Sequence, residues 1–314
     1  MTDDFGRKID YLRLSVTDLC NYRCSYCMPE SGVPKKDHSE ILSVEELIEI
    51  ARASVACGIR KIRITGGEPL VRRGILDICR GIGAIEGLEE LCMTTNSVFL
   101  PEYAAALKST GVNRINISID TMNPERFKEI TRRGMLTQVL DGIDAAKKAG
   151  FDQIKLNIVL LGGINQDEIP SFVSLTRDEA IEVRFIELMP MGECASWDKS
   201  RFIKAQTVLD LCPELVRIED HGVAERYQIP GYMGTVGLIS PMSHGFCSKC
   251  NRIRVTSDGM LKPCLHSDDE ILLRGLKGKE LEDEIMKGIA RKPGRHNMEN
   301  GVSETSRCMN RIGG

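Results

Sequence analysis

Two groups of three cysteines stand near opposite ends of the chain. Cys20, Cys24 and Cys27 follow the spacing C-x3-C-x2-C, and Cys247, Cys250 and Cys264 follow C-x2-C-x13-C. Each group is one thiolate short of the four that saturate a cubane iron–sulfur cluster, so each could leave one iron open to a ligand from outside the protein. Chemistry is expected at that open position. A zinc site is the alternative for each group and needs a fourth ligand: His38 could complete the first group, His244 or His266 the second. The remaining cysteines, Cys57, Cys79, Cys92, Cys194, Cys212 and Cys308, have no ligand spacing and read mostly as buried small side chains.

A second set of residues is cationic. In Lys61-Ile-Arg63-Ile-Thr65 the charged residues alternate with isoleucines, which places Lys61, Arg63 and Thr65 on one strand face; Lys155 and Asn157 repeat the arrangement. Strands of a covered parallel sheet are normally apolar on both faces, and a buried cation is costly unless an anion meets it. Arg13, Arg184, Arg252 and Arg254 add to the count from other segments. Seven candidate cations in a chain of formal net charge −3 suit one compact triphosphate better than an extended nucleic acid. The net charge also argues against a general nucleic-acid surface.

The elements that must hold these residues can be read from periodicity. Strands are expected at Leu12 to Val16, Lys61 to Thr65, Glu90 to Thr94, Arg114 to Ile119, Ile154 to Leu161 and Glu182 to Leu188, alternating with amphipathic helices. Ser43-Val-Glu-Glu46 reads as a capping box, Pro101 and Pro124 suit first helical turns, and Gly58, Gly111 and Gly150 suit helix ends. Six βα units imply an α/β fold with a parallel sheet and right-handed crossovers, curved into a whole or partial barrel. After about His221 the alternation stops. The remainder is expected to hold an Ile253 to Val255 / Leu261 to Leu265 hairpin turned by Ser257-Asp258-Gly259, a helix near Leu272 to Ala290 and a polar tail. The expected division is 1–222 and 223–314.

In parallel βα architectures the active face is where the strands end. The first cysteine group, Thr65-Gly66-Gly67-Glu68-Pro69, Thr94-Thr95-Asn96, Ser118 with Asp120, and Glu187-Leu188-Met189-Pro190 all fall there. The 314 residues, 42% of them hydrophobic, can bury a full core. The N-terminus has no basic-then-apolar signal, and no apolar run approaches the roughly 20 residues of a spanning helix. A cytoplasmic protein without a membrane partner is expected, with its thiols reduced.

The C-x3-C-x2-C motif with Tyr26 before its last cysteine, followed by Gly-Gly-Glu-Pro after the second strand, resembles the radical S-adenosylmethionine (SAM) superfamily. The second cysteine group, the run Cys250-Asn-Arg252-Ile-Arg254 and the terminus Arg311-Ile312-Gly313-Gly314 narrow the resemblance to the molybdenum cofactor biosynthesis protein A family, the GTP 3′,8-cyclases. The resemblance covers nearly the whole chain.

It implies a partial TIM-like (β/α)6 radical SAM barrel with a C-terminal iron–sulfur extension. It also implies two 4Fe-4S clusters, held by Cys20, Cys24 and Cys27 and by Cys247, Cys250 and Cys264, with S-adenosylmethionine on the open iron of the first. By the same likeness the backbone at Tyr26, Gly67, Ser118 and Met189 contacts that cofactor. Gly66 and Gly67 are expected to lack side chains so that the backbone can approach its methionyl end. Arg13, Arg63, Thr94, Lys155, Arg252, Ile253 and Arg254 are assigned to GTP, with Lys61 and Arg184 as further candidates. The implied reaction is a carbon–carbon lyase step: a 5′-deoxyadenosyl radical removes the ribose 3′ hydrogen of GTP, and the carbon radical closes onto C8 of the same molecule. Arg184 is a candidate for assisting the final electron and proton transfer.

The implied partners are ferredoxin or flavodoxin as electron donor and cyclic pyranopterin monophosphate synthase as the next enzyme, with the chain a monomer or homodimer and no nucleic acid bound. A radical SAM enzyme acting on a peptide or tRNA is the alternative. The tail is expected to enter the active site. Ser97 departs from the family pattern, where Gly or Ala is expected, which bears on the local loop alone.

Overall fold

In the computed structural model, residues 1–219, 222–296, 298 and 303–313 are described; His221 and Gly314 lie outside them. The six expected strands are present: β1 (Tyr11–Ser15), β2 (Lys61–Thr65), β3 (Glu90–Thr95), β4 (Val112–Ser118), β5 (Ile154–Leu160) and β6 (Glu182–Glu187). Each pairs parallel with the next. The connections carry α1 (Val44–Ala56), α2 (Ile75–Gly83), α3 (Leu100–Ser109), α4 (Pro124–Thr131), α5 (Leu136–Lys148) and α6 (Ile169–Ser174), and α7 (Gln206–Leu211) follows β6.

Local signals explain where these helices begin and end. The Ser43 hydroxyl accepts from the Glu46 amide at 3.2 Å while the Glu46 carboxylate accepts from the Ser43 amide at 2.8 Å, closing the capping box at α1. Pro101 and Pro124 occupy the first turns of α3 and α4. Gly58, Gly111 and Gly150 take left-handed φ of 98°, 90° and 77° just past α1, α3 and α5, where the helix-ending turn favours glycine.

Strand alternation divides the molecule into two environments. Leu12, Leu14, Ile62, Ile64, Ile115, Ile117, Val183 and Phe185 pack in the main hydrophobic cluster with the helices. Residues of the opposite parity, among them Arg13, Arg63, Arg114, Lys155 and Arg184, turn to the inner face. Apolar burial therefore fixes the helices to the outside, while the inner face is polar.

The rest of the chain extends this sheet at both edges. β7 (Val216–Arg217), β8 (Glu225–Gln228) and β9 (Thr235–Ile239) form antiparallel pairs, and β9 runs parallel beside β6. β10 (Arg252–Val255) runs parallel beside β1, then turns into β11 (Met260–Lys262) and β12 (Ile271–Leu272). The order is β12-β11-β10-β1-β2-β3-β4-β5-β6-β9-β8-β7, and among the described residues no pairing joins its two ends. Two expected elements shift. The second hairpin strand ends at Lys262, because Pro263 has no amide to donate to the ladder. The helix expected from Leu272 is α8 (Gly278–Ala290); Leu272 of β12 pairs with Met260 of β11, Gly275 takes a left-handed turn before the helix, and Gly278 takes a positive φ at its first residue. A final turn, α9 (Met309–Ile312), lies in the tail. No helix among the described residues is long and apolar enough to cross a membrane.

Candidate active site

The strand ends open on one cavity of about 370 Å³, lined by Cys20, Cys24 and Cys27, by Cys247, Cys250 and Cys264, and by residues of every strand from β1 to β6. Of the expected rim, Thr65 to Glu68, Thr94 to Asn96, Ser118, Asp120, Asn157 and Glu187 to Met189 all face it. The four residues assigned to S-adenosylmethionine, Tyr26, Gly67, Ser118 and Met189, are among them.

The first cysteine segment is fixed by the end of β2. The Gly67 amide donates to the Thr17 carbonyl and the Glu68 amide to the Leu19 carbonyl, both at 2.8 Å. A Cβ on Gly66 would lie 2.6 Å from the Thr17 carbonyl oxygen, and one on Gly67 would lie 2.8 Å from that of Asp18. The glycines thus admit the backbone leading to Cys20. Close approach of the chain itself adds a requirement for glycine to the expected one, close approach of a ligand. Glu68, fully buried, accepts from the Thr95 hydroxyl and the Asn96 amide at 2.7 Å and the Leu70 amide at 3.0 Å, tying the ends of β2 and β3 together. Burial pushes its carboxyl up to about 7 even against these bonds.

Burial likewise pushes the Cys20 and Cys27 thiols up to about 12 and raises that of Cys24. The Tyr26 hydroxyl donates to Asp120 at 2.7 Å, and burial raises the Asp120 carboxyl to about 6. Ser97 takes a left-handed φ of 66°. It is accommodated because α5 presents Gly142 to it: a Cβ there would lie 2.7 Å from the Ser97 Cβ.

The cations divide into two sets. Among the described residues Arg13, Arg63, Arg252 and Arg254 line the cavity and have no carboxylate partner. Register places Arg254, Arg13 and Arg63 side by side across β10, β1 and β2. Burial and the Arg254 charge hold Arg13 well below its ordinary value, and burial with Arg252 brings Arg254 to about 10. The Nε atoms of Arg13 and Arg252 are buried without a hydrogen-bond partner. Such a cluster is stabilised by a polyanion.

Lys61 and Lys155 are placed differently: neither lines the cavity. Lys61 pairs with Glu90, which also holds Arg114 at 2.7 Å, and Lys155 donates to Glu182 at 2.7 Å, which also pairs with Arg184. The sequence argument that inner-face cations require an outside anion is corrected here, since Glu90 and Glu182 supply the counter-charge at the strand starts. Arg184 reaches both its carboxylate and the cavity. The Ile253 side chain is fully buried in the hydrophobic cluster, on the strand face opposite Arg252 and Arg254.

Among the lining residues that sequence reasoning missed are Tyr11, Phe246 and Lys292. The Tyr11 hydroxyl accepts from Arg63 Nε. Its ring centroid lies 5.1, 5.9 and 5.5 Å from the charges of Lys61, Arg63 and Arg252, and Arg252 also lies 5.8 Å from the Phe246 ring. Alternation in Tyr-Leu-Arg-Leu-Ser carried the signal, because Tyr11 shares a face with Arg13. Lys292 donates to the carbonyls of Arg252 at 2.8 Å and Pro263 at 3.0 Å. Burial works against ionising Cys250, but Lys292 and Arg252 outweigh it and lower the thiol below its ordinary value.

The zinc alternatives find little support in this placement. His38 is exposed and His244 lines a separate pocket. His266 does face the cavity, with its Nδ1 3.1 Å from the Ser303 hydroxyl. The tail does enter the cavity: Met309 and Asn310 line it, Asn310 donates to the Asp18 carbonyl at 3.0 Å, and the Gly313 carbonyl accepts from Arg254 at 2.9 Å and Arg13 at 3.4 Å.

Comparison with known proteins bears on what this site is. The family model described as the radical SAM superfamily matches residues 14–176, and the one described as Molybdenum Cofactor Synthesis C matches residues 181–298. The GTP 3′,8-cyclase of Alkaliphilus oremlandii is 48% identical over the full length of both chains. The chain belongs to the GTP 3′,8-cyclase family of the radical SAM superfamily. Another member, from Peptoclostridium acidaminophilum, is 50% identical, covering 100% of this chain and 98% of its own. Solved structures resemble this family member in fold alone. Streptococcus suis SuiB bound to S-adenosylmethionine aligns with TM-score 0.57 at 12% identity over 88% of this chain, which spans 63% of SuiB. The structure of anSMEcpe with bound AdoMet aligns with TM-score 0.57 at 14% identity over 94% of this chain and 80% of that one.

Proposed function

We propose that this protein cyclises GTP to (8S)-3′,8-cyclo-7,8-dihydroguanosine 5′-triphosphate, the first step of molybdenum cofactor biosynthesis. The observation that carries this reading is one cavity lined by both cysteine triads and by four arginines that lack carboxylate partners. Each triad has the thiolate set of a 4Fe-4S cluster with one open iron. Cys20, Cys24 and Cys27 would hold the first cluster, with Tyr26, Gly67, Ser118 and Met189 around S-adenosylmethionine, and Cys247, Cys250 and Cys264 would hold the second. When bound, the first cluster and S-adenosylmethionine supply a 5′-deoxyadenosyl radical.

The chain's own part is to bind and orient the nucleotide. Arg13, Arg63, Arg252 and Arg254 take the triphosphate, with Thr94, which accepts from Arg63 at 3.3 Å, beside them. Lys155 reaches GTP only by giving up its bond to Glu182. Rigid seating makes closure of ribose onto guanine effectively unimolecular, and the docked tail excludes water. Arg184 stands at the cavity wall as the candidate for assisting the last proton transfer. Electrons come from a ferredoxin or flavodoxin, and the product passes to cyclic pyranopterin monophosphate synthase in the cytoplasm.

The test is anaerobic reconstitution with iron and sulfide, then dithionite, S-adenosylmethionine and each nucleoside triphosphate in turn. GTP alone is expected to give 5′-deoxyadenosine and a product isomeric with itself. Cofactor cleavage with no change in any nucleotide would sink the substrate assignment.

A further inference from the structure

We propose that Arg307 is a positioning residue for cyclisation, a latch that holds the C-terminal tail so that the Gly313 carbonyl meets Arg254 and Arg13. This rests on the reading of the cavity as the site of GTP cyclisation. Arg307 donates from Nε and Nη2 to the two oxygens of Glu270 at 2.7 and 2.8 Å, and from Nη1 to both oxygens of Asp258 at 3.2 and 3.0 Å. Asp258 sits in the turn between β10 and β11 and also accepts from Lys36, in the first cysteine loop, at 2.8 Å. Glu270, just before β12, also accepts from the buried Lys262 at 3.0 Å, and Lys262 in turn donates to the Thr305 hydroxyl at 3.3 Å. Three cations on two carboxylates thus join the first cysteine loop, the hairpin that carries Arg252 and Arg254, and the tail.

The tail needs such an anchor. α9 is a single turn, too short to hold its own shape. Beyond Arg307 its polar contacts with the cavity are made by backbone and one side-chain amide: Asn310 meets the Asp18 carbonyl and the Cys27 thiol, and the Gly313 carbonyl meets two arginines. Gly313 must also sit with little tolerance, since a Cβ there would lie 2.5 Å from the Thr65 hydroxyl oxygen and 2.9 Å from the Ser15 Cβ. A bidentate, half-buried guanidinium is the strongest tie in the segment, and it fixes the chain six residues before Gly313. Loosening it frees the tail, removes a carbonyl from the arginines and admits water.

The experiment compares the reconstituted wild type, R307A, R307K and a chain stopped after residue 307, with and without R307A. In R307A, amide hydrogen exchange of residues 308–313 should rise about tenfold, as expected for loss of one charge-assisted tie. Product formed per 5′-deoxyadenosine should fall by a similar factor, with unchanged iron content. R307K keeps the charge but not the fork, and should fall between. In the shortened chain R307A should add nothing, because the tail it acts through is gone. Tail exchange in R307A at the wild-type level would overturn the latch, as would a further loss when R307A is added to the shortened chain. If R307A fails to fold, R307K and E270Q carry the same exchange comparison. Should the wild type make no product, the cyclase reading fails, while the exchange data still judge the latch alone.

Discussion

Arg254 shows how the site trades local electrostatics for binding. It lies beside Arg13 across β1 and β10, and both are held below their ordinary values, Arg13 by burial and the Arg254 charge and Arg254 by burial and the Arg252 charge. Arg254→Ala should therefore weaken GTP binding about 10- to 100-fold, the range for losing a charge-assisted hydrogen bond, without lowering the unfolding temperature. Calorimetric titration and a thermal melt check the two halves separately; a drop in melting temperature with intact affinity would make Arg254 structural. Glu68 behaves in the opposite sense. Its carboxyl in the folded chain is pushed up to about 7 from its ordinary value of 4.5, so between those values the folded state binds the extra proton. That contribution is complete below about pH 4.5 and is lost as pH rises through about 7. Relative to Glu68→Gln, the wild type should lose on the order of 3 kcal/mol across that window, read from denaturant unfolding at several pH values. A flat difference would mean that Glu68 stays ionised throughout.

At the scale of elements, the end of β2 acts as a template for the first cysteine loop. Gly67→Ala puts a methyl against the backbone of Asp18 and Leu19. It should displace Cys20 and reduce reconstituted iron to the amount held by the second triad, with 5′-deoxyadenosine formation falling at least about 100-fold, as a misplaced reacting centre does. Iron analysis beside a Cys20→Ala/Cys24→Ala chain checks this, and full iron loading would reject it. All six strands and the capped helices were legible because each has a local cause: alternation, a capping box, a proline at the first turn, a glycine beyond the last. Both cysteine triads and the polar strand ends were legible by spacing. The parallel seating of β10 on β1 was not, although Arg252-Ile-Arg254-Val repeats the alternation of Tyr11-Leu-Arg13-Leu. Pairing between strands so distant in sequence leaves no local mark. Nor could spacing reveal that Glu90 and Glu182 neutralise Lys61 and Lys155, or that Gly142 makes room for Ser97, since each pair meets only through the fold.

For the whole molecule, the consequence lies in who covers the sheet edges. β1 and β6 bound the six-stranded parallel core, and each is paired along its open side by a strand from the last third of the chain, β10 through four register pairs and β9 through five. An unpaired edge strand offers a row of free amides and carbonyls to other chains. The cut at residue 222 suggested by the end of βα alternation would expose both edges at once, and would strip the cavity of three thiolates and of Arg252 and Arg254. A fragment of residues 1–222 should therefore be insoluble or multimeric by size-exclusion chromatography. Co-expression with residues 223–314 should return a monodisperse complex in which the two pieces cannot be separated without denaturant. A folded, monomeric 1–222 fragment would show that the parallel core holds itself and that the C-terminal strands serve the site alone. The pairing pattern favours the first outcome, because the strands that carry the second cysteine group to the cavity are the same ones that close the edges of the sheet.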